Sequence, residues 1–455
     1  MKKGSIDLTQ GNIPIQVLQV ALPILMGQIF QNLYNSVDSL VVGNFVGTTA
    51  LAAVTACGDI SNLLIGFFTG LSVGSSVLFS QCFGAKNYEK LHRAIHTALL
   101  FAAIIGLVMA ALGVAFTPLL LRLVKCPDDV WPEASLYLRI YLIGIFFTSV
   151  YNVASGVLRA LGDTKRPLYY LIVASCCNIF LDVVLVAVVP LGVAGVAIAT
   201  VISQLASCIL IFRKMLTTED YYRLTPKDLR LDGEILSDVV RLGLPTAVQG
   251  CLVSFSNLIV QRYVNAFGST AMAGIGAAKK IDKYVSEFSQ AVGHTTPVFV
   301  GQNVGAGNYD RAGKSVRWTL GVGIACVIAV GIPVYFAAPG MVRLFIKDEE
   351  AIAYGVQMLR VLIPAYFLLV FHQVFSNAVR GYGYSTAAMI ISMIGLIGAR
   401  QTFLYLSMQS SYDPINVFAS YPVGWGATAV MLVTFYFVVV KRKVRKLKAA
   451  AQGTK

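Results

Sequence analysis

The chain has 455 residues, of which 56% are hydrophobic and 13% charged, with a mean hydropathy of +0.71. Such a balance excludes a soluble enzyme with a single anchor and points to a protein that crosses a bilayer many times. The formal charge of +14 would suit nucleic-acid binding if it formed one patch, but Lys and Arg fall in short separate loops, so no nucleic-acid partner is expected.

In chain order, apolar runs predict helices near 14–43, 50–81, 93–118, 134–160, 167–188, 192–213, 238–266, 270–302, 315–338, 350–380, 386–407 and 420–441. A spanning helix needs roughly 20 mainly apolar residues, so these are twelve spans. Gly47, Pro190 to Gly192, Gly268 and Pro422 supply turns where neighbouring spans run together. The first segment is long and polar through its middle, unlike a cleaved signal peptide, and is expected to remain. Six of the eight cysteines fall in predicted spans, Cys82 just past the end of one and Cys126 in an outer loop, which implies no disulfide framework.

The chain repeats itself. Gln81, Gly84, Ala85, Asn87 and Tyr88 recur as Gln302, Gly305, Ala306, Asn308 and Tyr309, and Arg159 and Gly162 recur as Arg380 and Gly383. The differences 302 − 81 and 380 − 159 are both 221. Chance matches would scatter in offset, so this is a duplicated domain. With six spans per half, the repeats enter the bilayer in the same direction, and the axis relating them lies along the membrane normal. The expected fold is an all-α polytopic membrane protein of twelve transmembrane helices in two pseudo-symmetric six-helix lobes. Residues 1–213 form the first lobe, 214–236 a cytoplasmic linker, 237–441 the second lobe and 442–455 a basic cytoplasmic tail.

Charge orients the spans. Lys2 and Lys3, Lys86 to Arg93, Arg159 to Arg166, Arg213 to Arg230, Arg311 to Arg317 and Lys441 to Lys448 fall on one side, while the loops near 44–50, 188–192, 266–270 and 408–420 carry no Lys or Arg. Exceptions are Arg122, Lys125, Arg343 and Lys347. The pattern places both termini in the cytoplasm, with the chain multi-pass in a membrane and in contact with membrane lipid.

Ionisable groups inside apolar spans are costly and point to function. Gln28, Gln31, Asn35 and Asp38 share one face of the first helix, and Asn178 and Asp182, four apart, share a face of the fifth. Thr200 adds a hydroxyl in the sixth. Two carboxylates with neutral oxygens suit a small hard cation or a shared proton; the bland alternative is a hydrogen bond between helices. In the second half Asn257 takes the place of Asn35, but Asp38 meets Val260 and Asp182 meets Phe403, so an ion site belongs to the first lobe. The eighth helix carries Lys279, Lys280, Asp282, Lys283 and Glu287, either as local ion pairs or as a cavity wall. Arg262 and Arg400 sit within spans, to neutralise carboxylates or to snorkel. The glycine of the repeated Gly-Ala-x-Asn-Tyr motif is expected to end its helix in a left-handed conformation. His92, His96, His294 and His372 show no metal-ligand spacing, and there is no phosphate-binding loop, nucleophile elbow or zinc motif. An enzyme is not expected.

Leu22-Pro23 followed by Asn35-Ser36-Val37-Asp38, Gly84 to Tyr88, Gly156 to Asp163, Asn178 to Asp182 and Gly195 to Gln204 together resemble the bacterial MATE (multidrug and toxic compound extrusion) family of the MOP superfamily, its DinF-like branch in particular. The resemblance covers about residues 14–440. It implies two six-helix lobes facing a central cleft, a place in a bacterial inner (plasma) membrane, and export of small organic, amphipathic cationic compounds by antiport with H+ or Na+, without a further cofactor. It also carries the ion-coupling role to Asp38, Asn178, Asp182 and Thr200, which would be the metal ligands if Na+ is used. The acidic residue of NorM-type members in the seventh helix is absent here. Tyr34, Asn35, Asn257, Gln261, Lys279, Asp282 and Lys283 are the candidates for contact with substrate. A monomer is expected; the alternative function is a lipid or lipid-linked oligosaccharide flippase of the same superfamily.

Overall fold

The computed structural model describes residues 6–124 and 126–453, excluding the side chains of Asp59 and of residues 450–453. Lys2, Lys3 and Lys125 of the charge pattern lie outside the described residues. Twelve long helices follow one another: α1 (Ile13–Phe45), α2 (Thr48–Gly84), α3 (Tyr88–Ala115), α4 (Trp131–Ala160), α5 (Lys165–Val188), α6 (Gly192–Thr217), α7 (Gly233–Asn265), α8 (Ser269–Gly305), α9 (Tyr309–Arg343), α10 (Glu349–Gly381), α11 (Ser385–Ser410) and α12 (Pro414–Ala449). No strand occurs among the described residues. All except α8 are long and apolar enough to cross a membrane; α8 is the helix bearing Lys279 to Glu287, whose charges dilute an otherwise apolar run.

Three features were not legible in hydropathy. A short helix, Thr117–Leu123, follows α3. The stretches Val183–Val188, Ile394–Ala399 and Tyr436–Val440 widen to π geometry inside α5, α11 and α12, the kind of local widening that re-aims side chains at functional sites. The basic tail is helical through Gly453.

The chain forms two compact units, one comprising Met1–Asp7 and Met26–Ala247, the other Leu8–Leu25 and Val248–Lys455. The boundaries fall inside α1 and α7 rather than at the linker. Each unit has its own apolar core: Phe68, Phe79, Leu91 and Leu138 are among the buried residues of the first, and Ile275, Leu359, Tyr366 and Phe418 among those of the second. In the first unit α2 and the opening half of α7 approach so closely that a Cβ on Gly74 would lie 2.3 Å from the Leu242 carbonyl oxygen. Small residues permit such backbone contact, and packing is the main attraction between helices in lipid.

The repeated motif is a helix stop used twice, and the left-handed residue is not its glycine. Gly84 and Gly305 are the last residues of α2 and α8, while Lys86 (φ 56°) and Gly307 (φ 73°), two positions on, take the left-handed conformation. The Asn87 N–H donates to the Cys82 carbonyl (3.0 Å) and the Lys86 N–H to Phe83 (3.0 Å); Asn308 to Asn303 (2.8 Å) and Gly307 to Val304 (3.1 Å) repeat the pattern. These are Schellman caps, in which the residue after the cap carries the positive φ.

The linker is held on α3 and on the start of α5. Thr225 N–H donates to His96 Nε2 (2.9 Å), Arg93 pairs with Asp232 (3.2 Å), Tyr221 stacks on Tyr88 at 3.9 Å, and the buried Tyr222 accepts from Arg166 (2.8 Å).

Candidate functional site

In the first unit the unbroken helical register of α1 buries Asp38, and the last α-helical turn of α5, just before its π segment, buries Asn178 and Asp182. Asp38 is 6% exposed, Asn178 1% and Asp182 0%. The carboxyl groups of Asp38 and Asp182 meet, within reach of a shared proton. Ionised, both are acceptors only. Their meeting therefore satisfies neither: Asp38 Oδ1, both oxygens of Asp182, and Asn178 Oδ1 and Nδ2 are buried without a hydrogen-bond partner among the described residues. Two like charges in a dry interior repel strongly, and a proton or a small cation between them removes the repulsion and supplies the missing bonds. The donor set, two carboxylates and an amide oxygen, fits a hard cation as well as a proton.

Thr200 on α6 is also buried, but its hydroxyl proton goes to the Val196 carbonyl of its own helix (3.0 Å). Tyr34 is half-buried beside the pair, and Asn35 is exposed. The sequence reading missed Tyr137 and Tyr141 of α4, stacked at 6.0 Å and near enough to feel the Asp38 charge. Their four-residue spacing was the available signal, but tyrosines at that spacing on a spanning helix have many roles.

The second unit gathers a different set. Asp282 accepts from the Tyr366 hydroxyl of α10, and Lys279 donates to Gln261 of α7, so the bonds of these two residues reach other helices as a cavity wall would. Lys283 is exposed. Arg262 is exposed near the end of α7. Arg400 neither snorkels nor meets a carboxylate: it is 4% exposed, its Nη1 donates to Asn257 Oδ1 (2.8 Å), and its guanidinium lies 3.8 Å from the Tyr421 ring centroid. Arg380, buried one span earlier, gives its Nη1 to Asn377 (2.9 Å) and its Nη2 to Gln249 (2.6 Å), and its Nε has no hydrogen-bond partner among the described residues.

His92 and His96, expected to lack a ligand grouping, do meet Asp228, their ligand atoms within 4.8 Å of one another. Both His96 nitrogens are already engaged, Nδ1 with the His92 carbonyl (2.7 Å) and Nε2 with the Thr225 N–H. The group fastens the linker.

The same sequence pattern is found in known proteins. The MatE family model matches residues 23–184 and again 245–406. The chain belongs to the MatE family. It is thus a multi-pass membrane transporter of small molecules and not an enzyme. The probable multidrug resistance protein YoeA of Bacillus subtilis (strain 168) is 30% identical over 434 residues, 93% of each chain. The probable multidrug resistance protein NorM of Thermotoga maritima is 24% identical, covering 85% of this chain and 83% of the relative. Among solved structures, an outward-facing multidrug resistance MATE transporter of the MOP superfamily superposes with a TM-score of 0.90 at 22% identity, over 99% of each chain, a likeness of fold. The two matched segments begin at Pro23 and Pro245 and are offset by 222 at both ends (245 − 23 and 406 − 184). At that spacing Asn257 stands where Asn35 does, and Arg400 where Asn178 does.

Proposed function

We propose that this transporter exports small organic compounds of the multidrug type by antiport with H+ or Na+, and that Asp38, Asp182 and Asn178 form the coupling site, with Thr200 at its margin. The observation that carries this reading is the pair of buried, mutually facing carboxylates, three of whose oxygens lack donors among the described residues. Such a pair is tolerable only when a cation or proton is bound, so the site fills from the side of higher ion concentration and biases the protein toward one of two arrangements. The names of the relatives support the multidrug class and their organisms a bacterial plasma membrane, and the charge pattern supports cytoplasmic termini.

The energetics suffice. A tenfold ion gradient supplies about 1.4 kcal/mol, and a charge crossing 100 mV adds roughly 2.3 kcal/mol. In everted vesicles with pH and sodium gradients clamped separately, one of the two gradients should drive ethidium or radiolabelled benzoate uphill. Asp38→Asn and Asp182→Asn remove the carboxylates without changing size and should each lower gradient-driven accumulation by about tenfold or more while the protein remains in the membrane. Full transport by both variants refutes the coupling role.

A further inference from the structure

Arg400 is a buried cation whose surroundings do not complete it. A guanidinium carries five N–H donors in a rigid fork and stays charged in any protein environment. Here Nη1 is used by Asn257, the flat face lies on Tyr421 and the Tyr421 hydroxyl lies close to the guanidinium, but Nε and Nη2 are buried without a well-formed hydrogen bond among the described residues. Those two nitrogens point the same way and form the edge of the fork that takes a carboxylate or phosphate bidentately. A buried charged donor left unpaired is costly, and an arginine whose sole role was to tie α7 to α11 would not need this edge. Gln401, its neighbour, already ties the two helices through Ser256 (2.8 and 3.0 Å).

The surroundings suit a ring attached to that anion. Tyr421 and Trp425 are half-buried with centroids 6.0 Å apart, Trp425 lies 5.9 Å from Tyr366, and the Asn257 bound to Arg400 is exposed. The acid within this unit's cluster, Asp282, is engaged by Tyr366. The duplication sharpens the contrast. The α1–α5 pair of the first unit brings together two carboxylates; the equivalent α7–α11 pair of the second brings together an amide and a guanidinium.

We propose that α7, α11 and α12 of the second unit hold an oxyanion subsite, in which the Nε–Nη2 edge of Arg400 takes the carboxylate or phosphate of an aromatic ligand whose ring lies at Tyr421 and Trp425. The inference rests on the small-molecule transport reading and narrows it: the substrate carries an oxyanion, in place of the amphipathic cation that the family resemblance implies.

Trp425 is one of three tryptophans, so the full-length protein with Trp131→Phe and Trp318→Phe reports on this place alone. In detergent, benzoate and phenyl phosphate should change its fluorescence saturably, whichever oxyanion is preferred, and benzylammonium, of matched shape and opposite charge, should not. Arg400→Gln should weaken anion binding by about tenfold or more, the loss expected for charge-assisted bonds, and Arg400→Lys, which keeps the charge and loses the fork, by less. The proposal is overturned if the parent fails to respond to either anion, if benzylammonium binds as well as they do, or if a folded Arg400→Gln protein, shown by its melting temperature, binds them like the parent. Should Arg400→Gln not fold, the parent's anion-to-cation comparison and Arg400→Lys decide. Binding is read at equilibrium without a gradient. Intact anion binding with no gradient-driven transport would therefore sink the antiport reading and leave the subsite standing.

Discussion

Lys86 sits in a backbone conformation that glycine occupies at the matching position, Gly307. For a residue with a Cβ the left-handed region costs roughly 1–2 kcal/mol, part of which returns as reduced freedom of the unfolded chain. Lys86→Gly is expected to raise stability by about 0.5–1 kcal/mol, seen as a higher melting temperature in detergent; a lower one would mean that the side chain itself holds the turn. The same scale explains what could be read of the site. Asp38 and Asp182 stood out because a carboxylate in an apolar span has no bland role as packing. Arg400 also stood out, but its chemistry depends on which neighbours lack a charge, and a linear text does not show neighbours. The left-handed residue was misplaced by two positions because glycine's permissiveness marks a region of the turn, while the hydrogen-bond pattern of the cap selects the residue.

At the level of elements, helix contacts are set by where backbones can touch. Gly74 of α2 faces the Leu242–Gly243 backbone of α7 in the first unit, with a hypothetical Cβ at 2.3 Å from one and 2.5 Å from the other. Backbone cannot swing aside as a flexible side chain can. Gly74→Ala is expected to part the helices and lower stability by about 1–3 kcal/mol, measured by thermal aggregation in detergent, whereas Gly321→Ala on α9, with nothing nearby, should be neutral or stabilising. Equal effects of the two would argue against close α2–α7 packing. Eleven of the twelve helices meet the length and hydropathy of a span because apolar run length marks them, while α8, diluted by its charges, was placed from the weaker apolar run around them. The π segments were not legible, because α and π turns differ in a backbone hydrogen bond and not in composition. The one in α5 begins directly after Asp182, so the reach of that carboxylate depends on a feature that periodicity conceals.

For the whole molecule, duplication explains the repeated loop motif better than either half does by itself. Its last basic residue is Lys90 in one copy and Arg311 in the other. Lys90 pairs with Asp238 of α7 (3.1 Å) within the first unit; Arg311 donates to the carbonyls of Leu8 (3.0 Å), Gln10 (2.7 Å) and Gly11 (2.9 Å) just ahead of α1 within the second. Each copy thus anchors the start of a helix that both units share. Arg311→Ala should free the segment from Leu8 to Gln16, which hydrogen exchange would detect as protection lost by at least about tenfold while the core of α8 is unchanged; unaltered protection there would show that Gln302 and Asn303, which also hold Leu8 (both 3.1 Å), suffice. What the sequence determined by itself is the membrane class, the twelve spans, the duplication and the family, because apolar length, repeat offset and motif are properties of the chain in one dimension. Only the tertiary structure decided that Asp38 meets Asp182 across 144 positions (182 − 38), that the linker is fastened to α3, and that the equivalent helix pair in the second unit presents a guanidinium edge. Those outcomes depend on which faces pack together, and the free energy of a buried charge is set by the atoms around it and not by its place in the chain.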